Sequence, residues 1–316
     1  MDQVRQVLRA RHYARRTEAS YCLWIRRYIF FFDAQRHPRD MGAPEVEAFL
    51  GALVVEERLS AATQRQALNA LVFLYREVFD QPLPQGLCLL RSRKRPRLPT
   101  VLSRSELRAM FAQLDGVQLL MAKMLYGSGL RLMECLRLRL KDLDLDRKRL
   151  RVHGKGGKWR GTVIASPLVP QLVTHVDRVR RLHARDLREG FGAVALPSGL
   201  ERKLPRASTE PGWQFLFPSR RRSVDPRGGG VRRHHVDASG LQKAVKLAAQ
   251  RAEIDKRVSC HTFRHSFATA MLEGGTNLRL LQELMGHADV KTTERYLHVM
   301  DKDIARVQSP LEELGS

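Results

Sequence analysis

The sequence predicts a mainly α-helical protein with a small antiparallel β-sheet in its C-terminal domain, an α+β fold built as two domains. Three observations carry this. Apolar residues recur at helical spacing through the first ninety residues and again after residue 103. Between the two runs, DQPLPQGLCLLRSRKRPRLPTVLS holds Pro82, Pro84, Pro96 and Pro99 and five basic residues from Arg91 to Arg97, the composition of an extended cationic linker. Three short strand-like pieces, LDL, RLRVHG and WRGTVIA, lie together in the second half, and the last two flank GKGGK, whose glycines suit a hairpin turn. With 316 residues, 43% of them hydrophobic, the chain has material for about two cores. The expected boundaries are 1–83 for a helical domain, 84–102 for the linker and 103–316 for the second domain.

Each element has its own signals. Thr17 is placed to cap a helix carrying Trp24, Tyr28 and Phe31. Pro44 opens a second, with Val46, Phe49, Leu50 and Leu53 on one face. Ser60 caps a third, with Leu68, Leu71, Val72, Tyr75 and Phe79. In the second domain Ser103 and Glu106 form a capping box before Leu107, Met110 and Leu114. Two helices follow, the second opened by Arg131 after the glycine turn at 127–129. Lys155 sits at the tip of the β-turn, and a helix resumes after Pro167 to about Arg188. From Phe191 to His235 the regular pattern lapses. Six arginines fall between Arg220 and Arg233, beside Trp213, Phe215, Phe217 and a Gly triplet. Helices return over 238–252, 261–272, 278–285 and 292–299, with no repeat of solenoid period.

Charge narrows the partner. There are 56 Lys+Arg against 33 Asp+Glu, a net charge of +23. A polyanion rewards such an excess, so nucleic acid is the expected partner. Cys22, Cys88, Cys135 and Cys260 form no CxxC pair and no disulfide framework, which suits free thiols in a reducing compartment. The N-terminal stretch has no apolar signal core, and the longest apolar run, at 24–32, is broken by Arg26 and Arg27. A cytosolic protein without a membrane segment is the expectation.

The stretch CHTFRHSF, residues 260–267, poses the chemical question. His261 and His265 share a helix face, as two metal ligands would; so do His261 and Arg264, as phosphate ligands would. No P-loop and no HExxH occur. A guanidinium beside the imidazoles disfavours a bound cation, and the nearest acid downstream is Glu273. Cleaving a phosphodiester without metal needs fixed donors for the non-bridging oxygens, a nucleophile, and an acid for the leaving oxygen. Arg264 and His261 suit the first role, because a guanidinium binds two oxygens and stays charged. A metal-dependent nuclease using Cys260, His261 and His265, and a DNA-binding regulator without catalysis, are the rival readings.

The motifs GLRLMECLRL (129–138), GKGGK (154–158), HTFRH (261–265), LMGHADVKTT (284–293) and Tyr296 resemble, in order and spacing, those of the tyrosine site-specific recombinases. Residue by residue, the resemblance implies a site of Arg131, Lys155, His261, Arg264, His287 and Tyr296. It implies no cofactor, no metal and chemistry like that of type IB topoisomerases. Tyr296 would attack the scissile phosphate and keep the 3′-phosphate, Arg131 and Arg264 would clamp its oxygens, and Lys155 would protonate the leaving 5′-oxygen. His261 and His287 would donate hydrogen bonds or handle the tyrosine proton. His265 lies outside the pattern and reads as a packing histidine; Cys260 reads as a bystander.

A narrower resemblance sits at about 191–235. LERKLPRASTEPGWQFLFPSRRRSVDPRGGGVRRHH is similar to the insertion that marks integron integrases, whose cassette attachment sites are imperfect hairpins folded from one strand. Trp213, Pro226, His234 and His235 offer flat surfaces for an unpaired base. Arg232, Arg233 and the other arginines would neutralise backbone phosphate. Here Pro211 and Gly212 precede Trp213, where such integrases more often have an acid–aromatic pair. The resemblance further implies a two-domain C-shaped clamp around DNA, acting on duplex and folded single-stranded sites. It implies a homotetramer on synapsed DNA, with the tail KDIARVQSPLEELG docked on a neighbouring subunit, and a bacterial, nucleoid-associated setting.

Overall fold

The computed structural model describes residues 1–34, 36–84, 86–87, 98–154, 157–197, 200–225 and 229–297. The chain divides into two compact units, Met1–Arg97 and Leu98–Ser316. Most of the expected linker, the turn residue Lys155, Pro226 and the C-terminal tail lie outside the described residues.

The first unit is helical: α1 (Asp2–Ala10), α2 (Arg15–Phe31), α3 (Ala43–Val55) and α4 (Ala61–Phe73). The expected cap at Thr17 is not used. α2 begins three residues earlier, with Ala14 at the N-cap, so Thr17 lies in its first turn. Ser60 does cap α4, its hydroxyl accepting from the Thr63 N–H at 3.3 Å. Val46, Phe49, Leu50 and Leu53 of α3 are all buried, as their spacing predicts. α4 departs from regular spacing at its end. It continues into a π-helical turn, Leu74–Val78, which buries Leu74, Tyr75 and Val78. Tyr75 thereby meets Tyr28, their hydroxyls 2.9 Å apart in the core.

The second unit begins with α5 (Arg104–Ala112), α6 (Gly116–Gly127) and α7 (Leu132–Arg137). The capping box on α5 forms as expected, with the Ser103 N–H donating to Glu106 at 2.7 Å and the Glu106 N–H donating to the Ser103 hydroxyl at 3.2 Å. Strands β1 (Leu143–Asp144), β2 (Arg149–His153) and β3 (Trp159–Val163) make an antiparallel sheet in sequence order. The β2–β3 register pairs His153 with Trp159 and Arg149 with Val163. Leu150 and Val152 point to the core while Arg149, Arg151 and His153 face outward, the period-two pattern of a half-buried sheet. Helix α8 (Val169–Arg188) follows a short turn at Pro167.

The irregular region is anchored. It holds the single turn α9 (Leu200–Lys203) and a two-stranded ladder, β4 (Ser223–Val224) with β5 (Val231–Arg232). Phe215, Leu216 and Phe217 are buried. Their backbone runs beside the end of α7, with Leu216 N–H donating to Leu138 O and Leu140 N–H to Gln214 O. The buried Asp186 of α8 accepts from Arg233 Nε at 2.5 Å and Nη2 at 2.7 Å. Helices α10 (Ala238–Arg251), α11 (Cys260–Glu273), α12 (Leu278–Met285) and α13 (Lys291–Glu294) follow among the described residues. One face of α11 is buried, including Cys260, Phe263, Arg264, Phe267 and Leu272. It packs chiefly on α6, with Phe263 stacked on Phe111 at 5.7 Å.

Two stability outcomes follow. Tyr28→Phe strands the Tyr75 hydroxyl in the core and costs about 1–2 kcal/mol in urea unfolding, whereas Tyr28→Phe with Tyr75→Phe recovers most of that loss. Asp186→Ala leaves the Arg233 charge buried without its partner and costs on the order of 3 kcal/mol, read by the same assay.

Candidate active site

The centre of the site is one carboxylate. Arg131 sits at the N-cap of α7, and its backbone N–H donates to Glu134 Oε2 at 2.8 Å. Its Nη1 donates to Oε1 at 2.7 Å. Arg160, on β3, adds a two-pronged contact, Nη1 to Oε1 at 3.0 Å and Nη2 to Oε2 at 2.9 Å. Arg264, on α11, brings its Nη1 to 3.7 Å from Oε2. Burial alone pushes the Glu134 carboxyl up, but the bonds from Arg160 and Arg131 outweigh it and hold the group below the ordinary carboxylate range. Three guanidiniums share one anion, so positive charge is left over.

Two glycines let the chain close around these arginines. Gly129 has φ +60°, and a Cβ there would lie 2.5 Å from the Phe267 ring. Its carbonyl accepts from Arg264. Gly286 ends α12 at φ +61°, and a Cβ there would lie 2.7 Å from Arg160 Cδ. Its carbonyl accepts from Arg131 Nη2 at 3.1 Å. Both positions require a left-handed backbone that glycine adopts without strain.

The imidazoles differ in how they are engaged. His287 Nε2 lies 3.1 Å from Arg264 Nη2, and its Nδ1 lies 2.8 Å from the Thr293 hydroxyl. A guanidinium has only donors, so Nε2 accepts and Nδ1 carries the proton. Burial, then Arg264 and Arg131, push the His287 pKa down to about 3. His265 Nδ1 lies 2.9 Å from the Tyr296 hydroxyl. Burial, then His261 and Arg295, push its pKa down to about 4. His261 stands at the exposed start of α11. Partial desolvation and the neighbouring Arg264 and Arg131 lower its pKa too. Arg264 is 3% exposed, and burial followed by repulsion from Arg131 brings its pKa down to about 9. Burial raises the pKa of Tyr296, against the opposing fields of Arg264, Arg295 and Arg131.

These side chains line a cleft of about 180 Å³, walled by Arg131, His261, Arg264, His265, His287 and Tyr296, with Pro99, Thr292 and Arg295 at its margins. Five of the six motif residues singled out in the sequence therefore meet at one cavity; the sixth, Lys155, lies outside the described residues. Among the described residues no group of three or more His, Cys, Asp or Glu is placed to hold a metal ion. The His261 and His265 rings are 6.3 Å apart, and His265 is engaged by the tyrosine. Three members escaped the sequence reading. Glu134 carried a signal, since it stands three residues after Arg131 in GLRLME, the capping-box spacing. Arg160 carried none, because only the hairpin register aims it at Glu134. His265 looked like packing until α11 and the turn after α13 brought it to Tyr296.

The candidate residues of the 191–235 segment form a second group. None of Trp213, Arg232, Arg233, His234 or His235 lines the cleft among the described residues. Phe215 packs against both His234 and His235 at 5.2 and 5.3 Å, and the two imidazole rings are 4.0 Å apart. His235 Nδ1 bonds the Val236 carbonyl at 2.7 Å. Lys141 Nζ sits 2.9 Å from the centre of the Trp213 ring. Arg139, buried beneath, donates to the Trp213 and Ala195 carbonyls. Arg233 is spent on Asp186, and Arg232 stands 3.6 Å from Asp225.

Comparison with known proteins identifies the family. Residues 100–303 match the model of the phage integrase family, and residues 1–85 match that of the phage integrase N-terminal SAM-like domain. An integrase/recombinase of Escherichia coli is 44% identical over 315 residues, covering 99% of this chain and 93% of that protein. The tyrosine recombinase XerD of Caulobacter vibrioides is 32% identical over 292 residues, covering 87% and 83%. Among solved structures, a XerH site-specific recombinase bound to a palindromic difH substrate shares the fold with a TM-score of 0.61, at 20% identity, covering 97% of this chain and 83% of that one. The Tn1549 transposon integrase in complex with transposon right-end DNA gives 0.56 at 18% identity, covering 98% and 96%. With a family model spanning most of its length and a near full-length relative at 44% identity, this chain belongs to the phage integrase family of tyrosine recombinases.

Proposed function

We propose that this chain is an integron-type integrase, which cuts and rejoins DNA at specific sites through a 3′-phosphotyrosine and moves gene cassettes. One observation carries the catalytic part: the Tyr296 hydroxyl shares a single cleft with Arg131, Arg264, His261 and His287. Leftover positive charge around Glu134 suits a phosphodiester anion, and Arg131 and Arg264 hold its non-bridging oxygens. Tyr296 Oη attacks phosphorus, the P–O5′ bond breaks, and Lys155 gives the departing oxygen its proton. The ester stores the bond energy, so a second strand's 5′-hydroxyl reverses the step without ATP. His261 donates to a phosphate oxygen. His287, whose Nε2 accepts from Arg264, acts by orienting that guanidinium.

The integron-type part rests on the insertion. The buried segment 215–217 packs Phe215 against His234 and His235, and Trp213, two residues earlier, lies against Lys141. Paired rings backed by Phe215 suit stacking with a base that protrudes from a folded single strand. Pro226 belongs to the same proposed surface. Arg233 contributes by holding the surface in place through Asp186. Two recombination sites need four cleavages, which supports a homotetramer assembled on synapsed DNA. Net charge of +23 suits both duplex and hairpin DNA.

Tyr296→Phe keeps DNA binding in a gel shift but forms no covalent adduct on a nicked suicide substrate; an adduct from that variant refutes the nucleophile assignment. Strand transfer proceeds in EDTA; its abolition by chelator would point to a metal-dependent nuclease. His235→Ala lowers recombination of hairpin sites with extruded bases by about tenfold, corresponding to partial loss of one stacking contact of roughly 1–3 kcal/mol, and affects duplex sites less. Equal losses on both refute base capture.

A further inference from the structure

We propose that His265, outside the family's motif set, is the base that takes the proton from Tyr296. This rests on the recombinase reading of the cleft and deepens it. Among the described residues the hydroxyl of Tyr296 has one imidazole at hydrogen-bonding distance, His265 Nδ1 at 2.9 Å. His287 packs nearly parallel to the tyrosine ring, with centroids 6.3 Å apart, but its geometry excludes proton uptake in this arrangement. Its Nε2 lone pair is taken by Arg264, and its Nδ1 proton goes to Thr293. Elsewhere in the cleft Arg131, Arg264 and Arg295 carry no acceptor, and His261, which has one, makes no hydrogen bond to the Tyr296 hydroxyl among the described residues. The tyrosine proton therefore points to the nearest lone pair, His265 Nδ1, which places the His265 ring proton on Nε2.

The position is fixed by secondary structure. His265 follows Arg264 on the buried helix α11, so the base and the phosphate ligand share one rigid element. Tyr296 sits in the turn after α13, with its N–H on the Thr293 carbonyl at 3.0 Å. The groups facing His265 are His261 and Arg264 from its own helix, His287 from the end of α12, and Arg295 and Tyr296 from the last turn. Burial first, then the charges of Arg295 and Arg264, keep the imidazole neutral while the cleft is empty. A phosphodiester anion between Arg131 and Arg264 offsets that field, so base strength rises when substrate arrives.

The proton balance is simple. Tyr296 Oη–H gives its proton to His265 Nδ1 as the Oη–P bond forms and P–O5′ breaks, while O5′ takes a proton from Lys155. On rejoining, the imidazolium returns its proton to Oη as the Oη–P bond breaks, and the attacking 5′-hydroxyl gives its proton back to Lys155.

The test uses the full chain and a nicked suicide duplex selected, from a random pool, as one the unaltered protein links to itself. Single-turnover adduct formation is compared for His265→Ala and His265→Asn, on DNA that both variants retard in a gel. Asn keeps an acceptor oxygen near the position of Nδ1 but is no base. Both variants slow by about 10²-fold or more, the range of a lost general base, and added imidazole speeds His265→Ala in proportion to its concentration. His265→Asn at the unaltered rate assigns His265 to tyrosine positioning alone and overturns the proposal, as does failure of imidazole to speed His265→Ala. Absence of any adduct from the unaltered protein overturns the recombinase reading itself, and this proposal with it.

Discussion

The second unit depends on the buried Glu134 carboxylate. Three guanidiniums, from α7, β3 and α11, converge on it. Two like charges about 4 Å apart repel by about 4 kcal/mol in surroundings of intermediate polarity, so three arginines could not gather without a counter-charge. One carboxylate draws them together but does not neutralise them. What remains is a preorganised cationic socket, paid for when the protein folds rather than when substrate binds. The same constraint explains the glycines: Gly129 and Gly286 lend carbonyls to Arg264 and Arg131 at places where a Cβ would collide with Phe267 or Arg160. It also explains the neutral histidines, since imidazoles buried in a positive field give up their protons.

The 191–235 segment solves a related problem with different parts. A segment rich in arginine and glycine has little to fold around. Here Asp186 takes up Arg233, and Phe215 to Phe217 enter the core beside Leu138. Some of the arginines that look in the sequence like phosphate ligands are therefore struts: Arg233 to Asp186, Arg222 to Glu189 at 2.8 Å. Their positive charge is largely used inside the protein. The exposed Arg220 and Arg221 keep theirs toward solvent.

Much of this was legible beforehand because it is local. Capping boxes, proline starts and apolar spacing act within a few residues, so α3, α4, α5 and the β2–β3 hairpin read directly from the chain. Thr17 was misread: α2 starts after Ala14, whose carbonyl accepts from the Glu18 N–H at 3.0 Å, so Thr17 is already inside the first turn. The order Arg131, His261, Arg264, His287, Tyr296 was also visible, since a chemistry that needs several kinds of side chain leaves a long pattern.

The sequence by itself determined the two helical units, the small sheet, the excess of positive charge and the Arg, His and Tyr motifs that meet at one cleft. Tertiary structure alone decided the rest. Glu134 became an anchor only when β3 brought Arg160 to it across 26 residues, and His265 became the tyrosine's partner only when the chain returned 31 residues later. Hydrogen-bond partners, the tautomers they impose and the pKa values that follow depend on distances between segments remote in sequence. Spacing along the chain names the candidates; three-dimensional proximity decides which nitrogen is free to take a proton.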